Sequence, residues 1–304
     1  MAEADEPPSA LAVIVDLGVE WSRRPHKECA GLIEQLLLFL NAYHLHSATS
    51  TLLLLGAHSH SVTTLWPPNQ NDEPATPSHP QQLRAAVASG MQRIAAHSKT
   101  PHDAGSDGDG DAPLLSAALS TALCRLQRVR RSRPKVDPRV LIVHASPDAH
   151  TQYLATMNCV FGAQKLGILI DAVLLGGGDD SMLLQQAAHL TGGLYFRPDA
   201  TAQQALAQTL ITCCLPGRYE RQFLRPPPQG QPGTLALCNL TKKPVEMGHA
   251  CSVCLSVFAH DNLSSCPVCG TRFALTMPAG QGRKKLKRPA AAAPAPAPAT
   301  QGAT

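Results

Sequence analysis

Charge is scarce in this 304-residue chain: 16% of its residues are Asp, Glu, Lys or Arg, while 44% are hydrophobic. That balance fits a packed globular protein, and together with 26 Pro and 22 Gly it points to long uncharged linkers between the packed parts. The net charge of +4 is too small for the molecule as a whole to be forced onto nucleic acid or a membrane. Long apolar runs are missing as well. Runs such as Leu36 to Leu40 fall far short of the roughly 20 residues that cross a bilayer, so no membrane span is expected. A secretory signal needs a basic start before its apolar run, whereas residues 1–8 are acidic and the following apolar stretch includes Asp16. Ten cysteines are sparse for a disulfide scaffold of this length, which argues for a reducing compartment. Catalytic signatures are absent: there is no Gly-framed nucleophile, metalloprotease helix, kinase loop or nucleotide loop, and His144 with Asp148 lacks a nucleophile, so an enzyme is not expected.

What is present divides the chain in two. The β-branched run over residues 10–17 reads as a strand buried on both faces of a parallel sheet, with Asp16 at its carboxyl end. Cys29, Leu32, Ile33, Leu36, Leu37 and Leu40 then recur at helical spacing. Residues 51–57 and 61–66 read as two strands joined by a short connection, hence an antiparallel pair. Helices are expected at 82–97, 114–126, 151–165, 181–190 and 201–213, and strands at 139–144, 167–175 and 192–197. This alternation predicts one α/β domain over about residues 8–215, with a mostly parallel central sheet, one antiparallel edge strand and insertions near 67–80 and 99–113. Residues 216–234, rich in Pro and Gly, read as a linker, 235–277 as a small module, and 278–304 as a disordered basic and Ala-Pro tail.

The module carries the strongest motif. Cys251 and Cys254, then Cys266 and Cys269, form two C-x-x-C pairs separated by eleven residues. Each pair can place two thiolates on one tetrahedral ion, and both together complete the closed shell of one structural zinc. A segment of fewer than about 40 residues cannot build a stable core unaided, so metal binding would supply its folding free energy. Cys238, His249 and His260 lie nearby, but with them the candidate ligands number seven and a cross-braced two-zinc ring needs eight; a single ion is expected.

Other motifs carry less. Asp16 is followed by Leu17-Gly18-Val19-Glu20, which offers no hydroxyls at the alternating positions a magnesium ion would need. Residues 107–111 (DGDGD) lack the glycine and closing glutamate of a calcium loop, and Gly176 to Gly178 does not form a phosphate cradle. Residues 283–288 (RKKLKR) suit a nuclear import signal, while the basic run from Arg125 to Lys135 reads as a solvated helix end and loop.

Asp16, residues 141–148 (LIVHASPD), 161–165 (FGAQK), 168–172 (ILIDA), 184–187 (LQQA) and 191–195 (TGGLY) resemble the von Willebrand A domain of the TFIIH subunit 3 family, and residues 251–256 (CSVCLS) its zinc module. The resemblance runs in order over roughly residues 10–277. It implies a non-catalytic nuclear scaffold of the general transcription and DNA repair factor TFIIH, docked against a larger sister subunit that also carries a von Willebrand A domain and zinc modules. Contact with DNA would then be indirect or weak. The D-x-S-x-S ion site of integrin-type domains is lost in that family, in keeping with Asp16 here. Where the family has further Cys and His around the knuckles, this chain has Leu240, Thr241 and Ala259.

Overall fold

The structure is a computed structural model that describes residues 8–46, 49–68, 74, 77, 79–97, 112–176, 180–199, 205–229, 236–241, 244–260 and 262–273. The acidic 107–111 run, Gly177, Gly178, the residue 283–288 cluster and the tail lie outside these residues.

Six strands make the main sheet: β1 (Ser9–Asp16), β2 (Thr51–Ala57), β3 (Val62–Trp66), β4 (Asp137–His144), β5 (Leu169–Leu174) and β6 (Tyr195–Phe196). Their spatial order is β3-β2-β1-β4-β5-β6, parallel throughout except for β3, which pairs antiparallel with β2 at the edge. The helices are α1 (Val19–Arg23), α2 (His26–His46), α3 (Pro80–His97), α4 (Leu115–Ser132), α5 (Tyr153–Leu166), α6 (Met182–Thr191) and α7 (Leu206–Cys214).

The central strand explains the layering. Successive side chains of β1 point to opposite faces, so Ala10, Ala12 and Ile14 join a core under α4, α5 and α6. Leu11, Val13 and Val15 join a second core under α2, α3 and α7. Covering both faces is what allows β1 to be apolar without alternation.

The structure moves several expected boundaries. α4 runs to Ser132 rather than stopping near residue 126, because Leu126 and Val129 continue its buried stripe while the arginines fall on other faces. β6 shrinks to two residues: Gly192 turns left-handed at φ 75°, and a Cβ at Gly193 would stand 2.0 Å from the Ile170 carbonyl oxygen, so the chain must pass close beneath β5 before it can pair.

The segment after α7 also differs from a free linker. Arg139, 1% exposed on β4, donates to the carbonyls of Cys214, Leu215 and Pro216. Arg221, in a 3-10 turn over Glu220–Gln222, donates at 2.8 Å to Oδ1 of Asp171, a β5 residue 1% exposed, and pairs with its second oxygen. A charge this deep is retained only when paired. The contacts of the α/β domain therefore extend to about residue 222, and composition alone concealed this because the two partners are 50 residues apart.

Candidate functional site: a four-cysteine centre

Ligands of open α/β sheets gather at the carboxyl ends of the strands, where this molecule has a cleft of about 850 Å³ lined by Arg24, Asp148, Tyr153, Asp180 and Ser181. Asp148 and Asp180 in this cleft, and Asp16 at the neighbouring end of β1, are already engaged, Asp180 by the Tyr195 hydroxyl and Arg197. Asp16 accepts the backbone N–H of Gly18 at 2.8 Å on one oxygen, and those of Ala145 at 2.9 Å and Ser146 at 2.8 Å on the other. His144 Nδ1 stands 3.0 Å away, in ion-pair range but without the geometry of a directed hydrogen bond. Burial alone would raise the Asp16 carboxyl; His144 and the ring of N–H donors outweigh it and hold the carboxyl well below the usual range. Asp148 accepts from the Ser181 hydroxyl and the Leu183 N–H, which caps the start of α6. His144 and Asp148, neighbours in sequence, thus face different partners.

The four cysteines come together elsewhere. The small module contains the hairpins β7 (Ala236–Leu237) with β8 (Pro244–Val245) and β9 (His249–Ala250) with β10 (Val257–Phe258). Cys251 and Cys254 occupy the turn between β9 and β10; Cys266 and Cys269 occupy a second turn closed by a bridge from Ser265 to Arg272. All four Sγ atoms lie within 4.8 Å of one another, with Cys251 to Cys269 and Cys254 to Cys266 both at 3.6 Å. Zn–S bonds of about 2.3 Å in a tetrahedron put sulfurs roughly 3.8 Å apart, so the cluster has the right size for such an ion. Among the described residues it is the one group of three or more Cys, His, Asp or Glu placed to share a metal.

The two turns repeat one design. In the first, Leu255 N–H donates to Cys251 O at 2.9 Å and Cys251 N–H to Ser256 O at 2.9 Å; in the second, Gly270 N–H donates to Cys266 O at 2.9 Å and Cys266 N–H to Thr271 O at 2.8 Å. The residue after each second cysteine is left-handed, Leu255 at φ 63° and Gly270 at φ 73°. Then comes a hydroxyl, Ser256 on Cys254 and Thr271 on Cys269, each at 3.1 Å. The Thr271 hydrogen bonds lower the Cys269 thiol, to about 6, and those from Ser256 lower Cys254 against the effect of its burial. This C-x-x-C-x-S/T pattern is present twice in the sequence, but cysteine spacing alone gives Ser256 and Thr271 no role. Behind the sulfurs sit Phe258, Leu263 and Phe273, a core too small to stand without a crosslink.

Cys238 takes a different place. It is buried, and its sulfur accepts N–H groups from Thr241 at 3.5 Å and Ala259 at 3.3 Å, tying the first hairpin to the end of β10.

Both units have counterparts among known proteins. The family model described as "Transcription factor Tfb4" matches residues 8–270, spanning the α/β domain and the cysteine module together. The chain belongs to the Tfb4 family. Over 285 residues it is 30% identical to the general transcription and DNA repair factor IIH subunit tfb4 of Schizosaccharomyces pombe, covering 90% of this chain and 91% of that protein. It is 42% identical over 161 residues to the general transcription factor IIH subunit 3 of Dictyostelium discoideum, a stretch that covers 53% of this chain and 42% of that protein. Among solved structures, the TFIIH p34 N-terminal domain superposes with a TM-score of 0.55 at 25% identity, covering 67% of this chain and 96% of that one. The α/β domain shares the fold of that p34 domain, and the named relatives are subunits of a factor in transcription and DNA repair.

Proposed function

We propose that this Tfb4-family chain is a non-catalytic assembly subunit of TFIIH in the nucleus. It holds the core together by protein contacts, above all to the larger sister subunit with its own von Willebrand A domain and zinc modules. The observation that carries this reading is the occupied strand-end carboxylate: Asp16, placed where an ion-dependent domain of this type would recruit its ligand, is consumed by three backbone N–H groups and set beside His144. Binding there would go by surface complementarity, without a bridging metal.

We further assign Cys251, Cys254, Cys266 and Cys269 as the ligands of one structural zinc, on the sulfur spacing given above. Thiolate-only donor sets of tetrahedral size favour zinc over the hard cations. When bound, the ion supplies the crosslink that the module's small apolar core lacks. The residues themselves do the rest: the twin turns orient the sulfurs, and Ser256 and Thr271 hold Cys254 and Cys269 toward the thiolate form.

Purification of the tagged chain from nuclear extract at moderately high salt tests the proposal. Recovery of the other TFIIH core subunits in near-equal amounts is expected. Recovery of the chain alone, or with nucleic acid only, would overturn it in favour of an independent nucleic-acid-binding zinc protein. Two zinc ions per chain instead of one would favour a ring-type module.

A further inference from the structure

The exposed charged side chains on the carboxyl-terminal halves of α4 and α5 are all positive, with Asp137 and Glu220 beside Arg218 at one end of this surface. Neither helix contains an Asp or Glu. Arg128, Arg131, Arg133 and Lys135 from α4 and its exit, and Lys165 from the end of α5, are all exposed, and these five cations outnumber the net charge of +4 carried by the entire chain. α4 packs beside α5, and two more guanidinium groups hold this edge: half-buried Arg130 donates to the Leu166 carbonyl and exposed Arg218 donates at 2.8 Å to the Gly167 carbonyl. Segments distant in sequence thus converge on one cationic ledge.

Helix carboxyl ends carry roughly half a negative charge and attract cations for their own sake, at about 0.3–1 kcal/mol each. Here that role is filled for α5 by Arg130 and Arg218, which occupy its terminal carbonyls. A simple solvated face would mix signs, since like charges three or four residues apart on a helix repel. Arg128 and Arg131, three apart, lie beside no acidic helix residue.

We propose that this ledge binds the phosphate backbone of a nucleic-acid duplex, without reading bases. Arginine predominates, and its fork matches phosphate oxygens in pairs. α4 carries no aromatic side chain on which unstacked bases could lie, and the exposed Tyr219 and Phe223 stand beyond Arg218 rather than among these arginines, which favours a duplex over a single strand here. Nor does α4 carry an exposed large hydrophobic side chain against which an acidic peptide could anchor. The inference goes beyond assembly: a subunit held in the core would add a weak, salt-sensitive grip on the duplex.

The test uses the full chain with Arg283, Lys284, Lys285, Lys287 and Arg288 all changed to Gln, so that the tail cannot supply the charge, and a short labelled duplex followed by fluorescence anisotropy. If about four phosphates are neutralised, affinity is expected to fall roughly 150-fold between about 50 and 200 mM salt. Adding Arg128→Gln and Arg131→Gln is expected to weaken binding at low salt and reduce that fall to roughly 12-fold. An independent pair on other elements, Lys135→Gln with Lys165→Gln, is expected to act alike, which guards against a folding defect in one variant. Loss of all duplex binding on neutralising the tail alone would overturn the proposal. So would an unchanged salt slope in both ledge variants, or preference for an acidic peptide of equal charge over the duplex.

Discussion

Changing Arg221 to Met would strand Asp171. That carboxylate is 1% exposed, and besides Arg221 it accepts one further hydrogen bond, from the Leu194 N–H at 2.9 Å. Methionine fills about the same space as the arginine stem but leaves the buried charge uncompensated, a change that costs about 3–5 kcal/mol in such sites. The arginine side chain is 14% exposed, so some water reaches the pair and the lower end applies. For a domain of about 200 residues, 3 kcal/mol lowers Tm by roughly 6–12 °C. Thermal unfolding followed by far-UV circular dichroism reads this directly. The double variant Asp171→Asn, Arg221→Met removes the stranded charge while the amide oxygen can still accept from Leu194, and should regain most of the loss. Limited proteolysis should cut near residues 216–222 in the single variant and spare the wild type. A single variant that melts within about 1 °C of the wild type would refute the anchoring of this segment, because a severed buried pair cannot be that inexpensive.

Further outcomes are expected elsewhere. Cys266→Ser should abolish zinc retention, measured as metal per chain, and unfold the module while leaving the α/β melting transition in place. Leu255→Gly should relieve a left-handed leucine whose twin is already Gly270; the relief of about 1 kcal/mol corresponds to roughly fivefold better metal retention in a chelator competition. Asp16→Asn should destabilise the domain at neutral pH. Because the folded Asp16 carboxyl is held well below its unfolded value near 3.9, its contribution is full above about pH 4 and is lost progressively as pH falls through the folded value, so the gap between wild type and variant should begin to narrow in melts taken from pH 4 toward pH 3 without closing there.

Much of this architecture is legible in sequence where local pattern and tertiary environment agree. β1 and β2 are continuous apolar runs because both faces of the sheet are covered, and β2 with β3 reads as an antiparallel pair because the connection is short. The cysteine spacing points to one compact cluster because two local turns bring each pair together without help from the rest of the chain. Legibility fails where the decisive partner is remote. Prolines and glycines after residue 215 look like linker, but Arg139 and Arg221 fix that stretch through contacts 50 or more residues away. Likewise the arginines of α4 obscure the continuation of its buried stripe through Val129, and the cationic ledge emerges only once Lys165 and Arg218 are brought to the same edge.

Assembly is tested most directly by removing the chain from the complex. Sedimentation of the remaining TFIIH core subunits, from cells depleted of this protein, should show them dispersed into smaller species, and re-expression of the full chain should restore the large one. A core that sediments intact without this chain, with transcription and repair impaired all the same, would contradict the scaffold role and point to an activity of the chain's own.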